Sequence, residues 1–173
     1  DQPFSQLRQA IALDPTYADA WGDLAYLQLA ATMWQVDPVP AMLESYRSAM
    51  VALDHDPDNV QALLVLAYLS TLVHRDHATA GRYLARARQQ GTDLSYWAFI
   101  KAVTHDGPLG RCDDALAVLD EALAKDPLAP PLLSARVWML SGAGRIAEAV
   151  ERTKAAVRHE AQVIADTLDT PKH

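Results

Sequence analysis

Cysteine is almost absent from this sequence: Cys112 is the one thiol in the chain. A single thiol excludes an internal disulfide and fits a reducing compartment, so the expected location is the cytoplasm. Long apolar runs are missing as well. No stretch reaches the roughly eighteen consecutive apolar residues that a membrane-crossing helix needs, so no membrane insertion is expected. The opening DQPFSQLRQA has neither the basic start nor the apolar stretch of a signal peptide, and it lacks an initiating Met. The expectation is therefore a fragment or a processed chain. Basic excess is lacking too: the formal net charge is -7, which argues against nucleic acid or an anionic membrane as a partner. Runs of β-branched or aromatic residues are scarce. What remains is rich in Ala and Leu, with 50% of residues hydrophobic, and favours helices.

Chemistry-bearing motifs are also few. No Gly-rich phosphate loop follows a predicted strand, and no nucleophile elbow surrounds a Ser or Cys, so neither a cofactor nor catalysis is expected. Asp54, Asp56 and Asp58 begin like a calcium loop. Pro57 interrupts that loop and Val65 stands where the closing Glu would be, leaving acidic decoration of a turn as the reading. His74, Asp76 and His77 have metal-ligand chemistry but sit in an expected turn, with no further ligand pair one helical turn away; no metal is expected. Cys112 begins a helix, whose end would lower its pKa while Asp113 and Asp114 would raise it. Arg75, Arg82, Arg86 and Arg88 make the only positive run, read as a solvated helix face.

What the chain does have is a repeat. Pro15, Pro57, Thr92 and Pro127 serve as register marks, spaced by 42, 35 and 35 residues. Five positions before each mark stands an alanine: Ala10, Ala52, Ala87 and Ala122. Small residues let antiparallel helices approach closely, large apolar ones at i, i+3 and i+4 fill the gap, and Pro ends a helix. Restart signals follow the marks: Thr16 with Asp19, Asp58 with Gln61, and Asp93. The pattern predicts nine helices, over 4–13, 18–34, 40–54, 59–73, 77–90, 94–105, 112–125, 130–142 and 145–167, with a disordered tail over 168–173.

The segment WGDLA at 21–25 with Asp14-Pro15, and the spacing of Ala115, Leu119, Ala122, Leu123, Asp126 and Pro127, resemble the tetratricopeptide repeat (TPR) family. The resemblance implies an all-α, right-handed α-α superhelix of TPR hairpins over 1–167. It divides into a partial repeat 1–15, repeats 16–57, 58–92 and 93–127, and a final helix pair 128–167. Thr92 and Ala161 depart from Pro, and Lys101 and Arg136 stand where Leu24 and Leu66 stand in other units. The first full unit carries eight extra residues, which resembles the opening repeat of TPR regions in bacterial multidomain signalling proteins of cyclase, kinase or winged-helix type.

In that family the first helix of each pair lines a concave side. The stripe at 4, 7, 8 and 11 past each mark then offers a groove for a protein or peptide partner. The groove is expected to use Asp19, Tyr26, Leu64, Tyr68, Tyr96, Phe99, Val103 and Trp138. The Lys, Asn and Arg of family members that clamp a C-terminal carboxylate are not found on this stripe. Lys101 and Arg136 suggest an alternative, a pocket for a small molecule, nucleotide or other anion, unless acids such as Asp114 or Glu121 neutralise them.

Overall fold

Three of the four alanines five places before the register marks are what the helices close upon. Ala52, Ala87 and Ala122 are fully buried at helix crossings, where a larger side chain would hold the backbones apart. In the computed structural model, residues 2–32, 37–91 and 94–169 are described. Among them lie α1 (Gln2–Leu13), α2 (Ala18–Ala31), α3 (Val39–His55), α4 (Val60–His74) and α5 (His77–Gln89). After these come α6 (Leu94–Ile100), a π-helical turn (Lys101–Asp106), α7 (Cys112–Lys125), α8 (Pro130–Gly142) and α9 (Ile146–Asp169). No strand occurs among the described residues. The mark at Thr92, the cap at Asp93 and residues 170–173 of the expected tail lie outside the described residues, while its first two, Leu168 and Asp169, continue α9.

The chain divides into two units, Asp1–Ile100 and Lys101–His173. In the first, α2 packs on α1 and α3, α3 on α4, and α4 on α5 and α2. Ala25, Leu29, Ala49, Ala52, Ala62, Val65, Leu66 and Leu69 form its core. Buried hydroxyls are satisfied at the α2–α3 crossing: Ser45 Oγ donates to the Ala25 carbonyl at 2.7 Å and Ser48 Oγ to Gln28 Oε1 at 2.8 Å. In the second unit α7 packs on α8 and on the π turn, and α8 on α9. Leu116, Leu140 and Ala149 are the centre of a smaller core there.

Three proline marks share one turn. Asp14, Asp56 and Asp126 each donate a backbone N–H to the alanine carbonyl four residues back, at 2.9, 2.8 and 3.0 Å. Each then accepts on its carboxylate from the amide two residues on, at Thr16, Asp58 and Leu128, with distances of 2.9, 3.0 and 3.3 Å. These are Asx turns, in which Asp closes the loop that Pro prevents from remaining helical. The caps differ from expectation for this reason. Thr16 is spent on Asp14, so Tyr17 precedes α2 without a side-chain cap. Asn59 rather than Asp58 caps α4, its Oδ1 accepting from the Ala62 N–H at 3.0 Å.

The helix expected over 94–105 changes character midway. At its end the Gly107 N–H bonds to the Ala102 carbonyl five residues back, at 2.9 Å, the spacing of a π turn. That geometry sets residues five apart one above the other, and Lys101 reaches Asp106 across it.

Candidate functional site

The expected groove residues of the first unit fall on α2, α4 and α6. Asp19, Asp23 and Tyr26, at i, i+4 and i+7, share one stripe of α2. Asp19 is exposed and accepts from Asn59 Nδ2 at 2.9 Å. Gly22 lies between them, and a Cβ there would stand 2.4 Å from Asn59 Oδ1. Its bare backbone is what lets Asn59 cap α4 and hold Asp19 at once. Tyr26 meets Tyr96 edge to face, with ring centroids 5.2 Å apart and planes at 82°, the arrangement aromatic quadrupoles favour. Tyr68 is half-buried against the same core cluster as Tyr26. Phe99 is half-buried on α6.

The electrostatics bind these groups together. Burial pushes the Tyr96 phenol well above the ordinary tyrosine range, and the neighbouring Tyr26 and Tyr68 add to the shift. Burial alone raises Tyr68. Desolvation raises the Asp23 carboxyl, and repulsion from Asp19 raises it further. The structure thus brings Tyr26, Tyr68 and Tyr96 together, beside an α2 stripe carrying two mutually repelling carboxylates.

Leu64 does not join them at the surface. It is only 1% exposed, because α4 is apolar on nearly all sides and is packed from several directions. It offers no face to a ligand. Val103 is half-buried on the π turn of the second unit, and Trp138, 54% exposed, stands on α8.

The two out-of-place cations have carboxylate partners of their own. Lys101 Nζ pairs with Asp106, which is 1% exposed and also bonded by His105 Nδ1 at 2.8 Å. Arg136 pairs with Asp120, Nε to Oδ1 at 2.5 Å and Nη2 to Oδ2 at 3.4 Å. The acids found are Asp106 and Asp120, where Asp114 or Glu121 had been expected. Asp106 went unnoticed in the sequence; its signal was an acid five residues after a misplaced lysine. The Arg136 Nη1 is buried without a hydrogen-bond partner.

Three more of the residues noted in the sequence have structural roles. Asp76 caps α5 through the Thr79 amide at 2.9 Å, Arg86 pairs with Asp58, and Arg88 lies over the Trp97 ring, 5.2 Å from its centroid. Among the described residues no group of three His, Cys, Asp or Glu is placed to hold a metal ion. No described helix is long and apolar enough to cross a membrane.

The all-helical fold is matched by a solved structure. That of PilW, described as a widely conserved type IV pilus biogenesis factor, superposes with a TM-score of 0.58 over 96% of this chain and 85% of that one. The fold is a TPR-like helical repeat. At 18% sequence identity the likeness shows the fold alone. No protein-family model matches the sequence, and a search of curated proteins finds no match.

Proposed function

We propose that this TPR-like chain is a non-catalytic protein-interaction module that receives a peptide or partner domain on the inner face of α2, α4 and α6. One observation carries the reading. Tyr26, Tyr68, Tyr96 and Phe99 keep part of their surface open on α2, α4 and α6, the helices that a TPR array would turn inward. Rigid aromatic side chains that are half-buried supply large contact area at small entropic cost. Val103 and Trp138 are separate candidates on the second unit.

The test is a photo-crosslinking residue placed at Tyr68 and, as control, at exposed Arg82 on the outer helix α5. A bound partner is labelled from position 68 and not from 82. Equal labelling from both, or loss of none of the binding in Phe99→Ala, would remove the groove from consideration. The setting within a larger bacterial signalling protein rests on the lengthened first repeat.

The unpaired Arg136 Nη1 favours a second reading, a small-anion site in the second unit. An anion there competes with Asp120, already in place, and one at Lys101 competes with Asp106. A melting temperature that rises with inorganic phosphate or a nucleotide, and does not rise in Arg136→Met, would support it.

A further inference from the structure

The inner face of the first unit carries a charge arrangement that works against its own fold. Asp19 and Asp23 sit one turn apart on α2, where like charges at i and i+4 repel. Asp23 is exposed, and its carboxyl is raised by partial desolvation and by Asp19. Among the described residues no lysine or arginine pairs with Asp23; the partner of Asp19 is the neutral amide of Asn59. Three other cations have acids of their own, Arg86 with Asp58, Lys101 with Asp106 and Arg136 with Asp120. Three residues past Asp23 on the same stripe is Tyr26, which meets Tyr96 edge to face. The first unit thus sets electron-rich aromatic rings beside an α2 stripe that carries two carboxylates.

We infer that this tyrosine face, edged by Asp19 and Asp23, receives lysine or arginine side chains from an extended basic segment of a partner protein. The inference rests on the groove reading above and names the chemistry of its occupant. An ammonium or guanidinium over a tyrosine ring gains cation–π attraction, and the same cation relieves the repulsion between the two carboxylates. An acidic partner would meet the opposite: two unneutralised carboxylates and the negative faces of the rings. The overall charge of -7 steers a basic segment toward the chain and an acidic one away.

The experiment uses three fluorescein-labelled dodecapeptides of one alanine-leucine pattern, bearing three lysines, three glutamines or three glutamates. Binding to the full chain is read by anisotropy at low and moderate salt. The lysine peptide is expected to bind at least about tenfold more tightly than the glutamate peptide, with the gap narrowing as salt is added. The Asp19→Asn, Asp23→Asn double variant is expected to bind the lysine peptide about fivefold more weakly. The same variant is expected to melt no lower than the parent chain, because asparagine still accepts from Asn59 and a repulsion is gone. Tyr68→Phe keeps the affinity and Tyr68→Leu lowers it about fivefold, since only the former keeps a ring face.

Unchanged lysine-peptide affinity in the double variant overturns the inference. So does glutamine-peptide binding as tight as that of the lysine peptide; if that binding still falls in Tyr68→Leu, the groove survives while its preference for cations does not. Three peptides bound alike and unaffected by Tyr68→Leu remove the groove as well.

Discussion

Adding one methyl group at Gly22 should destabilise the protein, although glycine inside a helix is ordinarily improved by alanine. The new Cβ would stand 2.4 Å from Asn59 Oδ1, with the rest of the Asn59 amide at 3.2 and 3.3 Å. Asn59 must then move. It loses the cap it places on Ala62, worth about 1 kcal/mol, and its bond to Asp19, worth about another 1 kcal/mol at a part-exposed carboxylate. Replacing glycine within α2 returns about 1 kcal/mol of helix propensity, and residual crowding adds about 1 kcal/mol against it. Gly22→Ala is therefore expected to cost about 1–2 kcal/mol. Truncation of Asn59 removes the clashing atoms, so in the Asn59→Ala background the same change should stabilise by about 1 kcal/mol. Urea unfolding of the four proteins in this cycle measures a coupling of about 2–3 kcal/mol. A Gly22→Ala chain that is more stable than its parent, or two changes that simply add, would show that Asn59 does not lie against α2.

Arg75 ends α4 in the left-handed region, at φ 53° and ψ 26°, and its side chain is exposed; Arg75→Gly should raise stability by about 0.5–1 kcal/mol in thermal or urea unfolding. Ala122 is fully buried, so Ala122→Leu overpacks α7 and should cost about 1–3 kcal/mol, with a lowered melting temperature as the readout. The raised phenols of Tyr68 and Tyr96 contribute stability that is whole below the ordinary tyrosine value of 10.0 and is lost as pH rises beyond it, because the unfolded chain ionises first. Urea midpoints should thus fall above that pH, and fall less steeply in Tyr96→Phe. The raised carboxyl of Asp23 has the same sign at lower pH, so Asp23→Asn should leave neutral-pH stability equal or higher by roughly half a kcal/mol, allowing for screening at a part-exposed site.

The hairpins were legible because their signals are local: an alanine, a proline and an i, i+4 apolar stripe each act within a turn or two of chain. The half-buried aromatics of α2, α4 and α6 were reached by the same counting. Partners across space did not. Asn59 and Asp19 are forty residues apart and meet only because Gly22 admits them; Arg136 could have reached several acids of α7, and packing chose Asp120. Leu64 was misjudged because a one-dimensional stripe does not register how many neighbours enclose α4. The π turn was invisible for a different reason. Its residues suit an α-helix, and what distinguishes them is a buried carboxylate met by Lys101 from five residues earlier.

The Asp-Pro turns have a consequence for how the chain acquires its shape. Every bond that closes them joins atoms no more than four residues apart. Each can therefore form on an otherwise extended chain, before any hairpin has met its neighbour. Folding then has three local starting points, one at each of these turns. A chain emerging gradually from a ribosome could settle its earliest bend long before the last one exists.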